Sequence, residues 1–273
     1  MTDLKPLMIC ADDFAQDEET NEAVLSLVSR RRLSAVSCFT DSPLWPDSGR
    51  ALVSVSNRIL LGLHFNLSLP FGFGEKPLAI WIARALARRI DRAAIYTALR
   101  RQIESFAAVT GRLPDYIDGH EHVHAFPMVR DVVSRVAAEL GASHPVRIRD
   151  LSTFRGATDA RLKRAAIRFM ALARHSIPDD WRLNTALAGD YSLSSDAEYA
   201  ELFASWLAAL PAGGLIMCHP RRAAGGRGAT AGNEEFRFLS SSRLDALLSR
   251  SACRLFEQAD LPPSAAQDAA ASL

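Results

Sequence analysis

The chain has 273 residues, of which 48% are hydrophobic and 23% charged, and this composition is that of an average globular protein. It excludes a disordered chain, and the near balance of 32 basic and 31 acidic residues argues against the clustered positive charge of a nucleic-acid binder. The four cysteines are far apart in the sequence, which predicts neither a zinc ribbon nor a disulfide scaffold.

The first ten residues carry an acidic residue and only a short apolar run, unlike the charged start and longer apolar segment of a signal peptide. No uninterrupted apolar stretch reaches the about 18 residues of a transmembrane helix. We therefore expect a cytoplasmic protein with reduced cysteines, no nucleic-acid partner and no stable membrane insertion.

The first half of the chain alternates short apolar runs with helical patterns. Apolar periodicity predicts strands at 6–10, 33–39 and 59–67, and helices at 19–30, 45–54, 78–90 and 92–109. A loop rich in glycine and proline is predicted at 69–77.

The second half continues the same alternation. Strands are predicted at 114–118, 145–148 and 213–218, helices at 127–140, 158–174, 195–209 and 243–250, and a flexible loop at 221–234. Strands that alternate with helices predict a parallel sheet with crossover connections, and one barrel-like α/β domain is the simplest arrangement. An open doubly wound sheet is the alternative, disfavoured because no Gly-x-Gly-x-x-Gly motif follows the first strand.

Two adjacent carboxylates follow the first predicted strand. Asp12 and Asp13 repel each other there, and a metal ion beside them would remove that cost. Because side chains alternate along a strand, one carboxylate can bind the ion while the other faces a water molecule. The alternative is a turn or a helix cap, since aspartate is common at both.

Three of the seven histidines fall within five residues after the fourth predicted strand. His120, His122 and His124 alternate, so an extended backbone would place them on one face together with Asp118. Imidazoles on one face suit a borderline metal such as Zn²⁺, and a carboxylate, Asp118 or Glu121, could orient a ligating ring. The alternative is a polar loop with incidental histidines.

Two further histidines, His64 and His219, also lie at the ends of predicted strands. A single histidine in an apolar run is more often a satisfied core residue. In a barrel, however, the carboxyl ends of the strands converge on one mouth, which would bring both histidines towards the aspartates and His120.

Arg147 and Arg149 flank the fifth predicted strand. They fit binding of an anionic or hydroxylated substrate, or shielding of the carboxylates, with surface salt bridges as the alternative. Phe65, which lies close to the loop after the third strand, could stack on a sugar ring, and core packing is the equal alternative.

Four motifs at the ends of these predicted strands together resemble the YdjC-like carbohydrate deacetylases. They are ADDF at 11–14, GLHF at 62–65, DGHEHVH at 118–124 and MCHP at 217–220, in the order found in the family. The resemblance implies a distorted (β/α) TIM-like barrel in a single domain, which we place at 1–261. The tail at 262–273 is rich in proline, serine and alanine and is expected to fray. It also implies a hydrolase that removes an N-acetyl group from a small carbohydrate or a glycolipid.

The resemblance further implies that Asp13, His64 and His120 hold one divalent metal ion, with Asp12 as general base and His219 as general acid. The family is described with Mg²⁺, whereas one carboxylate and two imidazoles favour Zn²⁺ or a similar ion. Substrate binding, or support of the ligating side chains, is expected from Asp118, His122, His124, Arg147 and Phe65.

At two positions, Ala15 and Arg221, this chain differs from the family pattern, which has glycine there. If position 15 requires a positive φ, alanine is strained there by about 1 kcal/mol. The alternatives to a sugar deacetylase are another metal-dependent C–N or ester hydrolase and a catalytically silent, metal-containing sugar-binding protein. A homodimer is expected only from the family.

Overall fold

Every pairing between named strands of the sheet is parallel. The structure is a computed structural model and describes residues 4–56, 58–69, 78–141, 145–172, 177–193, 198–222 and 229–261. Within these ranges the strands are β1 (Lys5–Phe14), β2 (Ala35–Cys38), β3 (Leu60–Phe65), β4 (Tyr116–Gly119), β5 (Arg147–Ile148), β6 (Leu187–Ala188), β7 (Gly214–Cys218) and β8 (Cys253–Leu255).

Helices connect these strands and cover the outside of the sheet. They are α1 (Glu18–Ser29), α2 (Trp45–Val55), α3 (Leu78–Leu86), α4 (Arg92–Thr110), α5 (Val129–Gly141), α6 (Arg161–Leu172), α7 (Tyr199–Ala209), α8 (Ala229–Ser240) and α9 (Ser242–Arg250). Asp17 and Asp91 are the N-cap residues of α1 and α4. Their side chains accept hydrogen bonds from backbone N–H groups in the first turn of each helix. None of the described helices combines the length and the apolar character needed to cross a bilayer.

The strands follow the order β5-β4-β3-β2-β1-β7-β6, and β8 pairs with the N-terminal end of β1. Isolated bridges from Ile148 to Arg182 and from Phe154 to Leu187 join the two ends of this order. The sheet therefore curves into a distorted barrel, and the predicted α/β barrel-like fold is confirmed.

Alternate strand residues face either the interior of the barrel or the surrounding helices. Met8, Cys10 and Tyr116 belong to one buried cluster with residues from β2, β3, β6 and β7. Ile9 belongs instead to the cluster that contains the apolar faces of α1 and α7. Both faces of the strands are buried, which explains why the strands are nearly continuous apolar runs in the sequence.

The structure corrects the prediction of a flexible loop at 221–234, because α8 begins at Ala229. The short strands β6 and β8, of two and three residues, were not predicted. The predicted tail at 262–273, most of the predicted loop at 69–77 and the N-terminal start of the predicted helix at 195–209 lie outside the described residues.

Candidate metal centre

The predicted site residues continue the inward-facing alternation of their strands at the carboxyl end of the barrel. Asp12 follows Met8 and Cys10 in β1, and Asp118 follows Tyr116 in β4. The same alternation applies at the other two strand ends, where His64 lies in β3 and His219 follows β7 directly. Barrel geometry alone therefore brings these side chains to one mouth.

Three side chains at this mouth present donor atoms to a common point. The Asp13 Oδ1 atom lies 3.2 Å from His64 Nε2 and 3.0 Å from His120 Nδ1. One donor atom from each residue lies within 4.8 Å of the others. Asp13 has a φ of 64°, and the register of β1 against β2 is irregular at this end, so its carboxylate leaves the direction taken by Asp12. The structure thus brings together the three residues that the family resemblance implies as metal ligands.

The carboxylates of Asp13 and Asp118 stabilise positive charge on this trio, which without a metal ion is a proton on His64. Burial raises the pKa of Asp13, but the contacts with His120 and His64 outweigh it and hold the pKa well below its usual value. Burial lowers the pKa of His64, but the nearby Asp118 carboxylate outweighs it and raises the pKa to about 10. One carboxylate and two imidazoles are a donor set that fits a divalent ion such as Zn²⁺.

Asp118 orients the ring of His64. Its Oδ1 atom lies 2.6 Å from His64 Nδ1, and its Oδ2 atom accepts a hydrogen bond of 2.6 Å from Ser37 Oγ. With Nδ1 held in this way, Nε2 is the His64 nitrogen that faces Asp13. The predicted supporting carboxylate is therefore Asp118, and Glu121 is exposed.

Arg149 lies deeper in the barrel than Asp13, His64 and His120, the three residues called the metal trio below. Its guanidinium forms a two-pronged ion pair with Asp12, with N–O distances of 2.6 and 2.7 Å, and reaches Asp118 Oδ2 at 2.5 Å. Burial raises the pKa of Asp12, but Arg149 outweighs it and keeps the pKa far below its usual value. Cys10, Asp12 and Asp118 also form a compact group of potential ligands, but the Arg149 guanidinium already pairs with both carboxylates.

Arg147 lies one layer deeper in the barrel than Arg149. It pairs with Tyr116 in the sheet, and its Nη1 atom donates a hydrogen bond of 3.0 Å to the Asp180 carbonyl. Residues two apart in a strand share a face but differ in depth, so only Arg149 reaches the mouth. The expectation that Arg147 binds substrate is therefore corrected, and Arg149 is the arginine that shields the carboxylates.

The histidine cluster is not extended beyond β4. A 3₁₀ turn covers His120–Ala125, with positive φ at Glu121 and His122. His122 consequently lines the cavity described below, whereas His124 Nε2 lies 3.2 Å from the Arg149 carbonyl oxygen. Burial lowers the pKa of His124 to about 4, so this ring is neutral near pH 7 and supports the Arg149 backbone.

Phe65 is fully buried in the core beneath α3 and α4, so the expectation that it stacks on a substrate is corrected. A different ring, Phe39, packs against the rings of His64 and His120. Its centroid lies 5.0 Å from the His64 ring and 5.1 Å from the His120 ring, edge to face in both cases. Sequence analysis missed Phe39, since nothing in the strand pattern distinguishes it from core aromatics.

His219 is held by a buried carboxylate that sequence analysis also missed. Glu235, in α8, accepts hydrogen bonds from the His219 backbone N–H at 2.5 Å and from the Tyr191 hydroxyl at 2.6 Å. Burial raises the pKa of Glu235, although the nearby His219 opposes this. Among the described residues, the buried Nδ1 atom of His219 has no hydrogen-bond partner.

The two positions that differ from the family pattern have clear structural settings. Ala15 has a φ of 74°, so the strain predicted for alanine is present, while its methyl group is buried in the core. Arg221 pairs with Glu19 at 2.6 Å and Asp17 at 3.1 Å at the start of α1. These ion pairs connect the segment after β7 to the start of α1.

A cavity of about 480 Å³ opens above the metal trio. This volume falls within the about 300–1,000 Å³ typical of ligand pockets. Its polar lining comes from the strand ends and the turns that follow them, together with Lys163 of α6, and its apolar lining comes mainly from α3 and α6. The polar residues at its inner end include Asp12, Asp13, His64, His120, His122 and His219.

Comparison with known proteins gives matches to both sequence and fold. The profile of the YdjC-like protein family matches residues 6–250. Chitooligosaccharide deacetylases of Yersinia pestis and Yersinia pseudotuberculosis are 30% identical to the chain over 154 residues, which cover 53% of this chain and 59% of theirs. The alignment thus spans less than two thirds of those relatives.

Two solved structures share the fold. A protein described as a cellobiose-phosphate cleavage protein, from Enterococcus faecalis V583, superposes with a TM-score of 0.67 at 16% identity, covering 92% of this chain and 97% of that one. A peptidoglycan N-acetylglucosamine deacetylase superposes with a TM-score of 0.53 at 10% identity, covering 95% and 89%. At these identities the similarity shows the fold alone.

Proposed function

The chain belongs to the YdjC-like protein family, and from this premise we propose that it is a metal-dependent hydrolase that removes the acetyl group from an N-acetylated sugar. The observation that carries the proposal is the convergence of Asp13, His64 and His120 on one point, beside Asp12 and His219, in one cavity. The names of the chitooligosaccharide deacetylases that resemble it support this choice of reaction.

Asp13, His64 and His120 would hold one divalent ion, and their donor atoms favour Zn²⁺ or a similar borderline metal over Mg²⁺. When bound, the ion supplies a Lewis acid that polarises the acetyl carbonyl and lowers the pKa of the attacking water. Asp118 keeps His64 in the orientation that directs Nε2 to the trio.

Asp12 acts as the general base. Its carboxylate is ionised at neutral pH, and although Arg149 lowers its pKa and so its basicity, a bound ion would also make the attacking water a stronger acid. The two-pronged ion pair also fixes the carboxylate in place, which limits the reorganisation needed during the reaction.

His219 acts as the general acid. The oxygen of the attacking water bonds to the acetyl carbon, and the C–N bond breaks as His219 donates a proton to the departing nitrogen. The products are acetate and a sugar with a free amine. Glu235 contributes by holding the His219 backbone, so it is a positioning residue.

The proposal is tested by measuring metal content and acetate release together for the wild type, His120→Ala and Asp12→Asn after reconstitution with Zn²⁺. The substrates are N-acetylglucosamine oligomers. We expect about one ion per chain in the wild type and in Asp12→Asn, and loss of the ion in His120→Ala. Acetate release should be fast only in the wild type, with kcat of Asp12→Asn reduced by about 10²–10⁴.

Asp47→Asn is the matched control, because the Asp47 side chain is 92% exposed in α2 and does not line the cavity. It should keep both the ion and the activity. A wild-type kcat in Asp12→Asn would contradict its role as base. A wild type that binds no ion would overturn metal dependence, and release of acetate only from O-acetylated sugars would favour an ester hydrolase.

A further inference from the structure

The outward face of α6 has an apolar centre. Leu162 and Phe169 lie seven residues apart, which places them on the same face of the helix, and they are 89% and 67% exposed. Met170 is buried and Ile167 is half-buried, so a second set of apolar side chains faces the core. Large apolar side chains on the solvent side of a helix mark a surface that gains free energy when it is covered.

Basic side chains lie on both sides of this apolar centre. Arg161 and Arg168 line a groove on one side, and Lys163 lines the cavity above the metal trio on the other. All three are exposed, and none forms an ion pair with a residue that the structure describes. Helix α6 contains no acidic residue, and its fourth basic residue, Arg164, pairs with Asp190. The outward face of α6 is therefore positively charged around its apolar centre.

Helix α3 continues this surface on the other side of the cavity. Leu86, which lines the cavity as Phe169 does, is 54% exposed, and Ile80 is 42% exposed. Residues 78–90 include no acidic side chain and three exposed basic ones, Arg84, Arg88 and Arg89. The exposed residues of α3, of the two arginines after it and of α6 are called the rim face below. The rim face is apolar and basic, although the whole chain has a net charge of only +1.

This combination of side chains selects among partners. An anionic lipid bilayer offers phosphates to the basic side chains and hydrocarbon just beneath them to the apolar side chains. A single-stranded nucleic acid offers phosphates and bases that stack on aromatic rings, but no hydrocarbon for Leu162. A neutral apolar protein surface would cover Leu162 and Phe169 but would desolvate the basic side chains without pairing them.

We infer that the rim face binds reversibly to the surface of an anionic lipid bilayer. Leu162 and Phe169 enter the headgroup region, and the basic side chains around them pair with lipid phosphates, as in other helices that lie in the plane of a membrane surface. Such binding needs no membrane-spanning helix. The cavity then opens towards the membrane, because Leu86, Lys163 and Phe169 line its mouth and also belong to the rim face.

The test measures co-sedimentation of the protein with vesicles of phosphatidylglycerol and phosphatidylcholine, compared with vesicles of phosphatidylcholine alone. At about 0.1 M NaCl the anionic vesicles should bind the protein at least about tenfold more tightly, because each basic side chain near an anionic surface adds about fivefold in affinity. This advantage should shrink at about 0.5 M NaCl, because salt screens the charges.

The charge contribution is located with Arg161→Gln/Arg168→Gln, which should weaken binding to the anionic vesicles by about tenfold or more. Arg30→Gln/Arg31→Gln is the matched control, because it removes two exposed basic side chains that follow α1. Since β1 and β2 are parallel, the chain after α1 lies at the end of the barrel opposite the mouth. This control should bind as the wild type does.

The apolar contribution is located with Leu162→Ser/Phe169→Ser, which should also weaken binding by about tenfold or more, because two large side chains no longer leave water for the headgroup region. Val53→Ser/Val55→Ser is the matched control. These valines are 39% and 38% exposed, and they lie at the end of α2, again opposite the mouth. Binding of this control should equal that of the wild type.

A wild type that does not bind the anionic vesicles at low salt would overturn the inference. Losses of equal size in the rim-face variants and in their controls would also overturn it, because they would indicate adsorption without a defined face. The same holds if Leu162→Ser/Phe169→Ser binds as the wild type does while single-stranded RNA competes with the vesicles, since the rim face would then be a site for polyanions.

Membrane binding and the proposed reaction can fail separately. The rim-face experiments need neither Zn²⁺ nor a sugar, and acetate release from the methyl glycoside of N-acetylglucosamine is measured without vesicles. Vesicle binding with the expected losses, but without acetate release, would sustain the rim face and reject the reaction. Acetate release without vesicle binding would sustain the reaction and reject the rim face.

Discussion

A single guanidinium, that of Arg149, links the carboxylate proposed as base to the carboxylate that orients His64. Arg149 is 1% exposed and contacts both Asp12 of β1 and Asp118 of β4. Removing one partner from a buried ionic group leaves uncompensated charge in a medium of low polarity. The stability of the proposed metal centre therefore depends on Arg149, which is not one of its proposed ligands.

Arg149→Met should lower the free energy of unfolding by about 3–5 kcal/mol, because two buried carboxylates lose their counter-charge. Urea denaturation at pH 7 measures this, with Arg149→Lys expected to be intermediate because it keeps the charge but loses the two-pronged geometry. Arg135→Met is the control, because the Arg135–Glu139 pair is largely exposed and should contribute less than about 1 kcal/mol.

The loss in Arg149→Met should depend on pH. Since the folded-state pKa of Asp12 is depressed, the stability that it contributes is present above its unfolded pKa of about 4 and is lost as pH falls through the folded value. The difference in unfolding free energy between wild type and variant should therefore be largest near pH 7 and shrink below about pH 4. A difference that does not change with pH would contradict the assignment.

At the residue scale, the sequence predicts groups that lie at the ends of its apolar runs. Asp12, His64 and His219 could be found in this way because strand alternation and barrel closure determine their direction, whereas Asp13 takes its direction from its positive φ. The role of Glu235 could not be found, because its contact with His219 joins α8 to β7 through tertiary packing. Which of Arg147 and Arg149 reaches the barrel mouth depends on the register of β5 against β4, which the sequence alone does not reveal.

At the scale of single elements, the register of β3 against β4 determines the pairing of His64 with Asp118. The same register places Gly62 opposite Tyr116. A Cβ atom at Gly62 would lie 2.2 Å from the Tyr116 ring, so the ring occupies the space that any side chain would need. The Tyr116 hydroxyl in turn shares a hydrogen bond of 2.8 Å with Ser37 Oγ, and the Ser37 hydroxyl donates a hydrogen bond to the Asp118 carboxylate.

Gly62→Ala should therefore destabilise the protein by about 1–3 kcal/mol and weaken Zn²⁺ binding, since the displaced Tyr116 ring disturbs the support of Asp118. Urea denaturation and competitive zinc titration measure the two effects. Gly141→Ala is the control, because a Cβ there meets nothing within 4 Å. Equal stability of the two variants would show that the contact between Gly62 and Tyr116 is unimportant.

The elements that sequence analysis predicted least well are short or conformationally unusual. The strands β6 and β8 have too few residues to show alternation. The sequence before α8 is rich in glycine, alanine and arginine, which obscures the start of the helix. The histidine cluster was expected to be extended, but the left-handed residues Glu121 and His122 turn the chain, and no local pattern indicates them.

At the scale of the whole molecule, the barrel closes where its strands are shortest. Between β5 and β6 the side chain of Asn184 replaces part of the missing strand pairing. Its Oδ1 atom accepts from Asp150 N at 2.9 Å, and its Nδ2 atom donates to the carbonyls of Asp150 and Ala186 at 3.0 and 3.1 Å. Asp150 follows Arg149 directly, so the closure also fixes the backbone beneath the metal centre.

Asn184→Ala should lower the free energy of unfolding by about 2–4 kcal/mol, because it leaves buried backbone groups of Asp150 without their partners. The backbone N–H groups of Leu183 and Leu187 donate hydrogen bonds across the closure, and their hydrogens should exchange faster with solvent in this variant. The kcat should also fall, because Arg149 would no longer fix the Asp12 carboxylate in place. Thr185→Ala is the control, because the exposed Thr185 hydroxyl only bonds to the Ala212 carbonyl. If both variants exchanged these hydrogens at the wild-type rate, the barrel would be held closed by strand packing alone.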